Sequence, residues 1–440
     1  MTENPPKRIL TSSVFLSYEL FSAAGFLVFF TPYALFKMAG TPSYRAGIGQ
    51  RLSFYGKQSK PEFGSNPLWV QAVSMGEVKS VFPLIRKINE SGGPPVFLTA
   101  TTETGYRVAG ELLGQANTIA YFPLDFTPIV RRVLRRVKPR AIVLFETEIW
   151  PNFIRAANSS GVPIVVVNGR ISERSFGYYR LFPVIFRTIF SSISYAGMQS
   201  QRDAERAVAL GANPDVVEVL GNMKFDAAPT APEPGEIEEL RIQLHLAKDT
   251  SLIVAGSTHE GEEKELIEAY KRLLVKSPRV RLLLAPRHPE RFDDVEILIR
   301  NAGFDVFRRS TPHDRKQSAG NPVILLDTIG ELSRVYALAS ISFVGGSLAN
   351  IGGHNIIEPA SFGNPVLFGP HMHHFKDVKE AFLSEQAAIT VNNAGELYDA
   401  MVRLLENPEQ AKRVGEAAKR VVEANRGATD RYYSAIERYF

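Results

Sequence analysis

A set of charged and amide side chains in this chain stands directly after apolar runs, where the end of a strand can hold them against a ligand. Glu77 closes Ser74-Met75-Gly76-Glu77 after the run Leu68 to Val73, and Glu146 and Glu148 follow Ala141 to Phe145. Lys224 follows Val216 to Leu220, Arg287 follows Arg281 to Ala285, Glu331 follows Val323 to Leu326, and Asn355 and Glu358 follow the run that opens at Ile341. A carboxylate so placed can take a proton from a hydroxyl. A lysine can offset charge on a departing group or on a donor carboxylate. An arginine fork suits a phosphate. Together these types describe group transfer from a phosphorylated donor to a hydroxyl.

Each residue also has a plainer reading. Ser-x-x-Glu is a capping box, so Glu77 is either a base or the cap of its own helix. Lys224 is either a charge stabiliser or a surface lysine in a turn, and Arg287 either a phosphate contact or half of a surface salt bridge. A phosphate would repel Glu358, which leaves it accepting from ribose hydroxyls or capping its helix. His371-Met372-His373-His374, with Asp377 beyond, matches no standard ligand motif, and no metal is expected there.

The elements that must position these groups centre on Ile341 to Phe375, ISFVGGSLANIGGHNIIEPASFGNPVLFGPHMHHF. A strand breaks at Gly345-Gly346-Ser347, a short helix starts near Asn355 to Glu358, and a second strand runs from Pro365 to Phe368. That is a parallel βαβ crossover. Glycines at such a junction let backbone N–H groups approach an anion, so this stretch is expected to cradle phosphate. The two glycine pairs do not have the spacing of the dinucleotide fingerprint.

With 440 residues the chain is long enough for two domains. A 45% hydrophobic, 22% charged composition describes a globular body. No cysteine means no disulfide and no thiolate metal site. The net charge of +5 suits an anionic partner such as a membrane surface or a nucleotide, and no nucleic-acid module is visible. Leu20 to Phe36 carries no charge and reads as an N-terminal membrane anchor rather than a cleaved signal peptide. Arg131, Arg132, Arg135 and Arg136 stripe one helix, as a solvated face or a headgroup contact.

Strand and helix patterns alternate from Leu68 to Leu220 and again from Leu252, which predicts two doubly wound parallel sheets. Ala227 to Pro234 carries three prolines among small residues and reads as a linker. The resulting order is an anchor over 1–45, an N-terminal domain over 46–226, a linker over 227–236, a C-terminal domain over 237–410 and a terminal helix over 411–440. Ligand is expected where the strands' C-terminal edges meet in a cleft.

In these motifs the chain resembles the 3-deoxy-D-manno-octulosonic acid (Kdo) transferases. The resemblance spans nearly the whole chain: SMGE at 74–77, TTETG at 101–105, ETEIWPN at 146–152, GNMKFD at 221–226, GSTHEGEE at 256–263, APRHPERF at 285–292, DTIGEL at 327–332, and FVGGSL, GGHN and GPH beyond. It implies a GT-B glycosyltransferase, two Rossmann-like domains facing across a cleft, that is inverting, needs no metal or cofactor, and uses CMP-Kdo as donor. It further implies a lipid A precursor as acceptor, at the cytoplasmic side of the inner membrane. By the same resemblance Glu77 is the catalytic base, Glu146 and Lys224 stabilise the transition state, and Pro286, Arg287, Ile329, Gly330, Glu331, Asn355, Ile356, Ile357 and Glu358 contact CMP. The chain departs from the family's usual Asn-Pro-Leu-Glu at Asn355-Ile356-Ile357-Glu358, and from Asn-Ala-Arg at Asn168-Gly169-Arg170. Neither change removes a side chain that the chemistry needs. Competing readings are a GT-B enzyme moving a sugar from a UDP donor to a lipid-linked acceptor, and a membrane-tethered nucleotide-binding scaffold.

Overall fold

A computed structural model describes residues 17–20, 42–54, 66–113, 118–230, 232–311 and 322–440. Its contacts divide the chain into two units, Met1–Ala227 with Arg426–Phe440, and Ala228–Asn425. Beyond Leu20, the apolar run read as an anchor lies outside the described residues, and among the described residues no helix is long and apolar enough to cross a membrane.

The first unit holds a seven-stranded sheet in the order β3-β2-β1-β4-β5-β6-β7. Its strands are β1 (Leu68–Ala72), β2 (Val96–Ala100), β3 (Thr118–Tyr121), β4 (Ala141–Phe145), β5 (Ile164–Gly169), β6 (Tyr195–Met198) and β7 (Val217–Val219). All pair in parallel. Runs such as Leu68-Trp69-Val70 and Ile142-Val143-Leu144 are buried because helices cover both faces of a parallel sheet. Trp69 anchors one face, its ring centroid 5.1 Å from Phe97 and 5.0 Å from Phe153, while its indole donates to Thr99 at 2.8 Å.

The order reverses direction between β1 and β4, and loops leaving neighbouring strands there diverge to opposite faces. The crevice left at their C-terminal ends is where doubly wound sheets bind ligands. Glu77 follows β1 and Glu146 follows β4. The helix after β1, Met75–Glu90, continues through Pro83 without a break.

The second unit repeats the plan in the order β10-β11-β9-β8-β12-β13-β14. Its strands are β8 (Ser251–Thr258), β9 (Val280–Pro286), β10 (Val306–Arg308), β11 (Val323–Leu325), β12 (Ile341–Val344), β13 (Val366–Phe368) and β14 (Ile389–Thr390). Here the switch lies between β8 and β12, beside Ser257 to Glu262 and Gly345 to Ser347.

The terminal stretch is not one helix. Gly427, at φ 80°, ends the helix Pro408–Asn425, and the helix Ala428–Ile436 turns back into the first unit. There Ala428, Tyr432 and Ile436 are buried in the core. Asp226 accepts from the N–H groups of Gly427 at 2.6 Å and Thr429 at 2.5 Å.

Candidate active site

In the first unit, three carboxylates and one lysine gather at the β1/β4 switch. Ser74 caps the helix Met75–Glu90, its Oγ accepting from the Glu77 N–H at 3.4 Å. Glu77 replies with both oxygens, Oε2 accepting from the Val73 N–H at 2.8 Å and Oε1 from the Ser74 hydroxyl at 2.9 Å. The capping box therefore exists. It holds the carboxylate at the strand's mouth rather than removing it from chemistry, because each oxygen keeps further acceptor capacity. Burial foremost, then the Glu146 charge, pushes the Glu77 carboxyl above its ordinary value; the Val73 and Ser74 donors and Lys224 oppose the rise. A base poised nearer neutrality results.

Glu146 sits in left-handed backbone at φ 57°, an uncommon state for a residue with a side chain, and backbone strain of this kind concentrates at functional sites. Its N–H still donates to the Val167 carbonyl at 2.9 Å, so β5 fixes the turn. Lys224 Nζ stands 3.1 Å from Glu146 Oε1, an ion pair whose angle falls short of a hydrogen bond. Both side chains are about one-fifth exposed, which leaves the pair reachable. Glu148 is pushed up to about 7 by burial first and then by the Glu77 and Glu146 charges. At about 7, Glu148 is the carboxyl that can hold a proton near neutral pH, which eases the repulsion at this end of the sheet.

The loop carrying Lys224 is fixed from below. Asn168, buried near the C-terminal end of β5 at φ 53°, accepts from the Met223 N–H at 2.9 Å. Asn222 accepts from the Lys224 N–H at 2.9 Å and donates to Gln199 at 3.0 Å. Gly169, which stands where the family usually has alanine, has Met198 Sδ 2.5 Å from the position a Cβ would occupy. Asp125, pushed up to about 6 by burial, caps the helix Pro151–Ser159 through the N–H groups of Asn152 and Phe153, which ties down the loop bearing Glu148.

In the second unit, the glycine-rich turn does not present free amides to a ligand. The N–H groups of Gly346, Ser347, Leu348 and Ala349, at 2.7, 2.9, 2.8 and 3.2 Å, and that of His259, at 2.9 Å, all donate to the buried carboxylate of Glu262. The expected phosphate cradle is thus filled by the protein's own anion, and Gly345-Gly346-Ser347 is a structural nest. Its neighbour Glu263, also fully buried, takes both amino groups of Arg291 at 2.8 and 3.2 Å.

The cationic groups left beside this nest are exposed. The Arg287 N–H donates to the Thr258 carbonyl at 3.0 Å, which fixes its backbone, while among the described residues the guanidinium has no ion-pair partner. Its surface-bridge reading is therefore not what the structure shows. Pro286 ends β9, and Ile329, 83% exposed, precedes Gly330 at φ 92°. Glu331 is engaged, accepting from Arg309 at 2.9 Å and from the Thr328 hydroxyl. Burial alone would raise its carboxyl, but those donors hold it below the ordinary value. Asn355 donates to Glu358 Oε1 at 3.2 Å and accepts from the Ile357 N–H at 3.1 Å, while Ile356 and Ile357 are buried and leave only backbone to a ligand. The structure thus clusters the second-unit candidates along one sheet's C-terminal edge and the first-unit candidates along the other's.

Two features escaped the sequence reading. Glu262 was given no role of its own, although two adjacent glutamates directly after a glycine were a signal. The other is a pair of histidines, His259 and His354, whose Nε2 atoms lie 2.8 Å apart.

The described architecture has known counterparts. A family model described as 3-deoxy-D-manno-octulosonic-acid transferase (kdotransferase) matches residues 46–227. A 3-deoxy-D-manno-octulosonic acid transferase of Haemophilus influenzae is 33% identical over 86% of this chain and 87% of its own length. One of Bordetella pertussis is 37% identical over 80% and 82%. Among solved structures, a glycosyltransferase of Rickettsia africae aligns with a TM-score of 0.56 at 15% identity, over 85% of this chain and 98% of its own, which speaks for the two-sheet fold alone. The chain is a glycosyltransferase and belongs to the 3-deoxy-D-manno-octulosonic-acid transferase family.

Proposed function

We propose that the protein moves Kdo from CMP-Kdo to a hydroxyl of a lipid A precursor, with inversion and without a metal, in lipopolysaccharide biosynthesis. The observation that carries the reading is the triad of Glu77, Glu146 and Lys224 at the switch point of the first sheet, in a chain of this family. Glu77, its basicity raised by burial and by Glu146, takes the proton of the attacking hydroxyl. The oxygen attacks the anomeric carbon of Kdo from the face opposite CMP, and the bond to the phosphate oxygen breaks with its electron pair. Lys224 offsets negative charge at the reacting centre, and Glu146 keeps its ammonium in place. In the second unit Arg287 contacts the phosphate, and Asn355 and Glu358 contact the ribose. Asn355 donates to Glu358 Oε1 at 3.2 Å, and carboxylate oxygens carry more than one lone pair for hydroxyl donors.

The reading places the work at the cytoplasmic face of the inner membrane, and contact with a lipid surface is supported by the helix Glu173–Leu181, which has no buried residue. It exposes Tyr178 and Leu181, with Phe182 next to them, at 56%, 72% and 46%, alongside exposed Arg174 and Arg180. Apolar and basic side chains on one short helix suit an anionic lipid interface.

The test mixes purified protein with CMP-Kdo and vesicles containing the lipid A precursor, then reads CMP release and lipid mass. A lipid heavier by one or more Kdo units, with protein sedimenting on the vesicles, is expected. Release from a UDP-sugar instead, or CMP never exceeding enzyme, would sink the assignment.

A further inference from the structure

The segment that carries Lys224 leaves the first sheet at its edge strand β7, turns at Gly221 and closes in the short 3-10 turn Met223–Ala227. Its polar ends are held by the helix Ala428–Ile436. Arg431 Nε donates to the Leu220 carbonyl at 2.9 Å, and the Tyr432 hydroxyl donates to the Gly221 carbonyl at 3.0 Å. Beyond the lysine, the Asp226 carboxylate accepts from the N–H groups of Gly427 and Thr429. The four bonds thus bracket Lys224. Between them Met223 is buried in the same core as Ala428, Tyr432 and Ile436. Gly221, at φ 88°, admits the guanidinium, since a Cβ there would stand 3.0 Å from Arg431 Nη2.

The same helix reaches the element that bears the base. Asp430 pairs with Lys87, whose ammonium lies 5.2 Å from the centroid of the Tyr433 ring. Lys87 belongs to the helix Met75–Glu90, which carries Glu77 in its first turn. Apolar burial of Ala428, Tyr432 and Ile436 would keep the helix on the sheet, but burial has no direction and fixes no particular carbonyl. Hydrogen bonds do. The segment also ends where the chain crosses to the second unit, at Ala227, and the helix follows its return at Arg426. Asp226 therefore ties the outgoing chain to the returning one, two residues from the lysine.

We propose that the helix Ala428–Ile436 is the positioning element of the lysine, with Asp226, Arg431 and Tyr432 as positioning residues that hold residues 220–226 so that Lys224 Nζ meets Glu146, a role that rests on Lys224's acting at the reacting centre. They act through Lys224, not on substrate. Asp226→Asn keeps the size of the side chain but turns an amide donor towards one of two N–H donors, so one end of the bracket opens. The ammonium then spends less time beside Glu146. Because Lys224 lowers the Glu77 carboxyl, a displaced lysine lets that carboxyl rise.

The experiment measures turnover of the full chain against pH for Asp226→Asn, Lys224→Met and the two combined, with calorimetric titration of CMP beside it. In Asp226→Asn, kcat falls about 10- to 100-fold, the acid limb of kcat/KM moves to higher pH, and CMP affinity stays at the wild-type value. In the Lys224→Met background the same change costs nothing further, a non-additivity that a merely structural role would not produce. Tyr439→Phe, which removes a 3.2 Å hydroxyl bond to the Ser194 carbonyl elsewhere in the same tail, keeps wild-type turnover. Should Asp226→Asn not fold, Tyr432→Phe with Arg431→Met, which leaves the buried ring in place, decides by the same cycle. Wild-type turnover in Asp226→Asn, a loss that persists in full without the lysine, or an equal loss in Tyr439→Phe overturns the positioning role and leaves that of Lys224 standing. Wild-type turnover in Lys224→Met overturns both.

Discussion

Lys224 Nζ and Glu146 Oε1 are 3.1 Å apart although one follows the last strand of the first sheet and the other its central strand β4. Removing the lysine leaves three carboxyls without their cation. Since Lys224 lowers the Glu77 carboxyl, Lys224→Met raises it further, and the acid limb of kcat/KM moves to higher pH. A pH–rate profile checks this. A limb that stays in place, or moves down, separates Lys224 from Glu77.

Glu77→Gln distinguishes base from cap. Glutamine serves a capping box as well as glutamate, so the melting temperature should hold within a few degrees. It cannot accept the proton, so turnover should fall on the order of 10²- to 10⁴-fold. Turnover near wild type would assign Glu77 to capping alone.

Much of this site was legible because a strand's end marks where a parallel sheet can bind a ligand. Glu77, Glu146, Lys224 and Arg287 stand within a few residues of such ends, and local pattern finds strand ends. What stayed hidden depends on long-range contacts. Glu262 meets Gly346 across 84 residues and His259 meets His354 across 95, and no periodicity encodes either contact. For the same reason the glycine turn was read as a phosphate cradle when its amides were already taken. The strands β10 and β14, three and two residues long, are too short to show alternation. The return of Ala428–Ile436 to the first unit turns on Gly427 alone, inside an otherwise helical pattern.

Glu148 gives a stability test with a definite sign. Its carboxyl rises from an ordinary 4.5 to about 7, so the folded state binds a proton that the unfolded chain releases. That contribution is full below pH 4.5 and is lost as pH rises through about 7. Glu148→Gln mimics the protonated form, so it should match wild type near pH 4.5 and exceed it at pH 8, by at most about 3 kcal/mol. Denaturant melts at the two pH values measure it. A variant less stable than wild type at pH 8 contradicts the burial account.

Arg287 spends its backbone, not its guanidinium, on the fold. Arg287→Ala should therefore leave the melting temperature unchanged while weakening CMP at least about tenfold, as expected for loss of a charged hydrogen-bond donor. Calorimetry and thermal melting read the two effects separately. A destabilised variant with intact CMP affinity would return Arg287 to a structural role.

Glu262 should behave in the opposite manner, as a structural anion whose loss can be repaired from solution. Five N–H donors converge on one carboxylate that is 1% exposed. In Glu262→Ala they lose their acceptor together, so a cost of about 3–5 kcal/mol is expected, confined to the second unit. Glu262→Gln does little better, because its amide turns a donor towards donors. The cavity left by alanine has the shape and charge preference of a small carboxylate, and a ligand that binds only the folded state stabilises it by mass action. Acetate should then raise the variant's second-unit melting temperature by several degrees and leave the wild type unmoved. A variant that melts like wild type, or gains nothing from acetate that chloride does not also give, would mean that water satisfies the nest and that its amides remain open to the donor's phosphate after all.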